Sequence, residues 1–483
     1  MTHIYGNLIA GASVPVAETY DDRNPADDRD VIGRFPLSRG AEAGAAVDAA
    51  ADAAGAWAET PPIARGRYLQ ALASELRERE EEIVPVITRE QGKPLAESRG
   101  EFAKAVEYLD YYAGLAWEYG GRLLPSARRG VEMSLRRQPV GVCALVTPWN
   151  VPIAIPLRKI APALLAGNTV VVKPSSETPL SCHLIGEAAH DAGLPTGVVN
   201  LVHGRGGEAV RAICSDPRVR AISFTGSTGV GRELAVLAAE RLIKVQLELG
   251  GKNAAVVLDD ADLDLAVDHV VAAGYGGSGQ QCTASSRVVV VASILEAFTD
   301  RLVARVRDLR VGPGADDGTQ IGPLVSERQM RSVLDYVAIG VDEGAELLVG
   351  GERVAGAGMD DGWFVAPTIL AGVHRDMRVA REEIFGPVVA VLSAADDDEA
   401  LAIANDSAYG LSAGVYTKSL ARASRFVHGL EAGAVAVNLP TAGWEVQAAF
   451  GGIKDSGGSG WKEQGVEALD FFSDFKVTQV RAA

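Results

Sequence analysis

The stretch VGVCALVT at residues 140–147 is apolar at nearly every position, rich in β-branched side chains, and stops at Pro148. A strand with no polar face must be covered on both sides, as in a parallel sheet between layers of helix. The same texture returns at 169–173 (TVVVK), 198–202 (VVNLV), 220–225 (RAISFT) and 244–249 (KVQLEL), with helix-like segments near 156–166, 178–192, 206–214 and 229–240. This alternation predicts an α/β fold built on a doubly wound parallel sheet, the usual nucleotide-binding architecture.

A second α/β series follows: 254–258 (AAVVL), a helix near 262–275, 287–292 (RVVVVA), a helix near 293–309, then 388–392 (VVAVL) and 434–438 (AVAVN). The Leu249-Gly250-Gly251-Lys252 break marks the boundary between the two series. Upstream, residues 40–120 are helical and Ala/Glu/Arg-rich until Gly120-Gly121 and Pro125 interrupt them. Residues 131–137 (VEMSLRR) alternate at period two and predict a strand. The last apolar run, Phe471 to Val480, predicts a terminal strand, and the 131–137 strand or its copy in another subunit is the candidate partner.

The chain has 483 residues, enough for two to four domains, and a net charge of −17. A phosphate-backbone binder needs a basic surface, so nucleic acid is not an expected partner. No run approaches 18 uninterrupted apolar residues, so no membrane span is expected. The amino terminus lacks a basic segment followed by a long apolar run, so no secretory signal is expected. Four cysteines without a CxxC pair suit a reducing cytoplasm and give no expectation of a metal site.

Several strand ends carry chemistry. Cys282 follows Gly274, Gly276, Gly277 and Gly279 and precedes an apolar strand. A lone cysteine is usually a small core residue, but glycines beside it let backbone and ligand approach a nucleophile. Glu248 stands between Leu247 and Leu249 at a strand's carboxyl end, where doubly wound sheets bind ligands. Desolvation there raises a carboxyl pKa and suits a general base. Asn150 closes the turn Thr147-Pro148-Trp149-Asn150, placing a side-chain amide where an oxyanion could form. In residues 224–231 (FTGSTGVG), strand, glycine turn and helix start make an anion site. Lys173 ends the strand before Pro174-Ser175-Ser176.

With these contexts in hand, the chain resembles the aldehyde dehydrogenase superfamily. The likeness extends from Asn24-Pro25 through Glu90-Gln91-Gly92-Lys93-Pro94 and Glu382-Glu383-Ile384-Phe385-Gly386-Pro387 to Phe450-Gly451-Gly452. It implies an NAD(P)-binding domain (1–120 and 140–248), a catalytic domain (249–471), and an oligomerisation β-arm (121–139 and 472–483) in a homodimer or homotetramer. Both main domains are expected to be doubly wound and Rossmann-like. The resemblance makes Cys282 the nucleophile toward an aldehyde, Asn150 and the Cys282 N–H the oxyanion donors, and Glu248 the base that hydrolyses the thioester. Lys159 matches a lysine linked to proton relay, with Asp474 at an approximately corresponding acidic position. On the cofactor side it implies Trp149, Lys173, Ser175, Ser176, Gly226, Ser227, Gly231, Leu249, Glu383 and Phe385. NAD-preferring relatives often carry a Glu where this chain has Ser176, with Glu177 one place later. Lys173 is then free to meet a 2′-phosphate, and NADP is expected to serve at least as well as NAD.

For the substrate, residues 146–164, 282–287 and 437–443 resemble the 2-oxoglutarate semialdehyde group, and Arg158 resembles the carboxylate-anchoring arginine of succinate-semialdehyde dehydrogenases. A guanidinium suits such an anchor. Two features favour an aromatic or broad-range aldehyde instead: Gln281 where that group commonly has Arg, and Trp444 near a tunnel-wall position; Phe450 is a further candidate substrate residue. Glu445 would also repel a substrate carboxylate unless it points away. An acylating, coenzyme-A-dependent relative would generally lack Glu248, and a non-catalytic paralogue on the same fold would have lost the nucleophile, amide or base.

Overall fold

The structure, a computed structural model, describes residues 2–356, 358–458 and 460–481. Two seven-stranded sheets organise the α/β fold. The first runs in the order Lys244–Glu248, Val219–Thr225, Val142–Val146, Thr169–Lys173, Val199–Leu201, Asn7–Ile9, Ala12–Val14. The first five of these are parallel, and the amino-terminal pair closes the edge antiparallel. Every residue of Val142–Val146 and Thr169–Lys173 is buried, as their unbroken apolar runs require. Chain order reverses beside Val142–Val146: later strands go to one side, then Val219–Thr225 and Lys244–Glu248 to the other. Such a reversal opens a crevice at the carboxyl ends of the strands.

The second sheet is ordered Glu346–Val349, Thr368–Ala371, Val388–Ala394, Ser285–Val291, Asn253–Val257, Ser412–Tyr416, Ala434–Val437, with only the first strand antiparallel. Helix Leu263–Tyr275 enters through Asp262, whose carboxylate accepts from the Leu265 N–H at 3.2 Å. The strands Ser412–Tyr416, Thr368–Ala371 and Glu346–Val349 have no counterpart in the sequence reading, nor does the hairpin formed by Thr19–Asn24 and Asp27–Pro36.

The terminal strand Ser473–Arg481 pairs antiparallel with Val131–Pro139 of the same chain, from Ser473 opposite Pro139 to Arg481 opposite Val131, and Arg122–Leu124 completes a three-stranded arm. Just before it, Val446, Ala468, Leu469, Phe471 and Phe472 pack into the core around the first sheet. The chain thus returns to the first core before it ends, whereas the resemblance assigned residues through 471 to the catalytic domain.

Candidate active site

Helix Ala154–Ala166 is buried at all thirteen positions, including Arg158 and Lys159. Buried cations require partners, and both find Glu463. Lys159 Nζ donates to Glu463 Oε1 and to Ser223 Oγ (2.8 Å), while Arg158 lies 2.7 Å from Glu463 Oε2. Burial alone would raise the Glu463 pKa, but Arg158 and Lys159 outweigh it and hold the carboxyl below its usual range. Asp474, the acidic position that the resemblance linked to Lys159, lies instead on the exposed arm strand, 3.1 Å from Lys244. The correction has a simple cause: the register that pairs Asp474 with Gln138 carries it away from the buried helix.

Asn150 sits at the crevice, where the chain leaves Val142–Val146. Its Nδ2 donates one hydrogen to the Gln280 carbonyl at 2.9 Å, which leaves the second directed elsewhere. Its own carbonyl accepts from Lys93 Nζ at 2.7 Å, and Lys93 is paired with Glu101. Glu101 in turn accepts from the Ile153 and Ala154 N–H groups at the start of the buried helix. This chain of bonds fixes the amide before any ligand arrives.

Cys282 stands before strand Ser285–Val291, at the amino-terminal edge of the second sheet, facing the carboxyl edge of the first. Asn253 Nδ2 holds the loop by donating to the carbonyls of Cys282 (2.8 Å) and Ala284 (2.9 Å). Gly279 has φ +68°, and a Cβ there would meet the Gly386 carbonyl oxygen at 2.1 Å, so this glycine serves a tight backbone crossing. Cys282 is partly exposed, whereas the other three cysteines are buried, and all four are free thiols. Burial pushes its pKa up to about 12, against the opposing pull of Arg158.

Glu248 ends the first sheet's edge strand, 3% exposed, and neither carboxylate oxygen has a hydrogen-bond partner among the described residues. Burial first, then the charge of Glu463, raises its pKa well above the usual carboxylate range. Its Oε1 lies against Gly451, at φ +147°, where a Cβ would approach to 2.4 Å; any side chain there would displace the carboxylate.

Cys282 and Asn150 border two cavities. One, of about 170 Å³, is lined by Glu248 with Trp149, Gly226, Ser227, Leu249, Gln329, Glu383 and Phe385. Trp149 and Phe385 meet edge to face at 5.3 Å. Phe385 holds φ +58°, an uncommon conformation for a large side chain, with Gln329 donating to its carbonyl at 2.9 Å. Glu383 accepts from the Gly251 N–H at 2.9 Å, and burial raises its pKa to about 7. Ser227 starts helix Thr228–Arg241 without capping it through its side chain, so the first helical N–H groups face the crevice as an anion site. Gly231 packs on Leu249, where a Cβ would come within 2.4 Å. Lys173 ends the strand Thr169–Lys173, with Ser175 and Ser176 just after it, outside this cavity's wall. Lys173 is buried, its ammonium donating to the Pro174 carbonyl at 2.8 Å, and burial lowers its pKa to about 8. Apolar rings, uncapped helical N–H groups, a buried ammonium and a carboxylate with a free oxygen form a donor set that fits a dinucleotide.

The second cavity, about 470 Å³, is lined by Arg158, Gln281, Trp444, Phe450, Tyr108, Lys104 and Glu97, among others. The Arg158 guanidinium lies 4.7 Å from the Phe450 ring centre. Trp444 Nε1 donates to the Thr441 carbonyl at 3.0 Å, which orients the indole. Glu445 is exposed and accepts from Gln447, so it points away from the cavity. Sequence reasoning missed Glu463, Glu101, Gln329 and Tyr108 as parts of the site. Lys93 lies inside the quoted Glu90–Pro94 motif, but nothing local in the sequence signals its contact with Asn150.

Comparison with known proteins agrees with this geometry. The sequence model of the aldehyde dehydrogenase family matches residues 13–478. The chain is similar to the alpha-ketoglutaric semialdehyde dehydrogenase of Bacillus subtilis, 42% identical over 95% of this chain and 94% of that one. It is also similar to the 2,5-dioxopentanoate dehydrogenase of Saccharolobus solfataricus, 43% identical over 94% and 95% respectively. Among solved structures, betaine aldehyde dehydrogenase from Staphylococcus aureus in complex with NAD+ superposes with a TM-score of 0.96 at 34% identity, covering 99% of this chain and 94% of that one. With the family model matched over residues 13–478, and with Cys282, Asn150 and Glu248 gathered at one crevice, the chain belongs to the aldehyde dehydrogenase family.

Proposed function

We propose that the protein oxidises a dicarboxylate semialdehyde, 2-oxoglutarate semialdehyde (2,5-dioxopentanoate) or succinic semialdehyde, to the carboxylic acid with NAD or NADP. The observation that carries the chemistry is the position of Cys282 and Asn150 in the walls of both cavities, one suited to a dinucleotide and one to an aldehyde. The names of the relatives support the substrate class, as does a guanidinium in the second cavity's wall.

Cys282 Sγ attacks the aldehyde carbon as thiolate; its raised pKa keeps the resting thiol protonated, and the proton leaves to solvent water as the C–S bond forms. The free Asn150 Nδ2 hydrogen and the Cys282 N–H stabilise the oxyanion, fixed donors aimed at developing charge. Bound NAD(P) supplies the hydride acceptor. The resulting thioester on Cys282 is hydrolysed by water that Glu248 deprotonates, a task its raised pKa suits near neutral pH. Glu383 accepts ribose hydroxyls with the oxygen not used by Gly251. Lys173, Ser175 and Ser176 receive the adenosine side, and Lys159 passes protons with Glu463. Glu463 is shared between Arg158 and Lys159, so one positive charge of the trio is left over beside the second cavity, where Arg158 supports a carboxylate ligand.

Trp444 and Phe450 in the same wall favour a second reading, an aromatic or broad-range aldehyde. Assaying succinic semialdehyde, 2-oxoglutarate semialdehyde, benzaldehyde, vanillin and hexanal with both cofactors separates the two. A higher kcat/KM for the semialdehydes is expected; preference for benzaldehyde or vanillin would overturn the first reading. We further propose a cytoplasmic homodimer or homotetramer. Four free thiols support the compartment, and the exposed Leu123, Phe475, Val477 and Val480 of the arm support assembly.

A further inference from the structure

Three cationic side chains in the wall of the 470 Å³ cavity differ in how firmly they are held. Lys93 is paired with Glu101, their side chains 7% and 5% exposed. Arg158 is paired with Glu463, at 9% and 2%. Lys104 has only Glu107, three residues on, at 3.0 Å with side chains 31% and 53% exposed. Buried pairs lose heavily when one partner leaves, whereas an exposed pair on a helix contributes little and exchanges freely. Lys104 is therefore the least firmly held of the three wall cations, and the one that a ligand can draw away from its partner most cheaply.

Its position suits that task. Glu97, Glu101, Lys104 and Tyr108 recur at intervals of four, three and four along helix Leu95–Leu115, forming one face along the cavity. Glu101 and Tyr108 are buried, but Lys104 between them is half-exposed, and its ammonium meets the exposed Glu107 rather than a buried partner. An anionic substrate must approach a chain of net charge −17 and pass Glu97 in the same wall. A cation at the entrance offsets that repulsion.

We infer that Lys104 is a specificity-determining residue that releases Glu107 to take the carboxylate of an incoming semialdehyde at the cavity wall. This rests on the semialdehyde reading of the site. The test divides kcat/KM for succinic semialdehyde by that for hexanal, in the full-length enzyme and in the Lys104→Met and Lys104→Arg variants. At low ionic strength the ratio falls about tenfold in Lys104→Met, through KM for the semialdehyde, and stays within about twofold in Lys104→Arg. Added salt lowers the ratio in the unsubstituted enzyme more than in Lys104→Met. An unchanged ratio in Lys104→Met, or an equal fall in both variants, would overturn the role of Lys104. An unsubstituted enzyme that oxidises hexanal but neither semialdehyde would instead defeat the substrate reading itself.

Discussion

Replacing Glu248 with Gln keeps the shape of the side chain and removes its ability to take a proton. Both oxygens lack partners among the described residues and the group is 3% exposed, so the substitution breaks no visible hydrogen bond. Losing a positioned general base costs about 10²- to 10⁴-fold in rate. In the proposed mechanism the loss falls on thioester hydrolysis, since bond formation to the aldehyde is assigned to Cys282 and Asn150. Rapid mixing of the variant with cofactor and semialdehyde should give a burst of about one reduced cofactor per site. The steady state that follows should fall far more than the burst slows. Stability carries an independent sign. Burial and Glu463 raise the folded-state pKa of Glu248, so its contribution is intact below about pH 4.5 and is lost as pH rises toward the folded value. Each unit of that shift corresponds to about 1.4 kcal/mol. The variant escapes the loss, so its Tm should match the parent's near pH 4 and exceed it at pH 8. Equal suppression of burst and steady state, or a Tm lower at pH 8, would refute the assignment.

Ser176→Glu should lower the NADP/NAD ratio of kcat/KM, because a carboxylate near Lys173 repels a 2′-phosphate; an unmoved ratio would contradict the cofactor reading. Asn150→Ala should lower kcat about 10²- to 10³-fold, as loss of an oxyanion donor does, with little change in Tm; stopped-flow and thermal melts read the two. Glu463→Gln leaves Arg158 and Lys159 without their buried counter-charge and should cost about 3–5 kcal/mol by denaturant unfolding. A loss below about 1 kcal/mol would mean that the cations find other partners.

The strands around residues 142–173 were legible because burial on both faces writes an unbroken apolar run. Cys282, Glu248 and Asn150 stood out as candidates because each lies beside or at the end of such a run, where a polar or reactive side chain contrasts with its neighbours. The amino-terminal strands are short, antiparallel and partly polar, so no comparable pattern marks them. Glu463 was illegible for another reason: it lies 304 residues from Lys159, in a segment without periodicity, and only the return of the chain to the first core joins them. Asp474 was misplaced for the same reason, because proximity along the carboxy-terminal segment says nothing about which strand register carries it outward.

The central claim is that Cys282 becomes covalently acylated during turnover. Peptide mapping by mass spectrometry of the Glu248→Gln enzyme, quenched with acid after mixing with semialdehyde and cofactor, tests it directly. An added acyl mass is expected on the peptide holding Cys282 and on no peptide holding Cys143, Cys182 or Cys214. An unmodified Cys282 peptide in a sample that has produced its burst of reduced cofactor would contradict it.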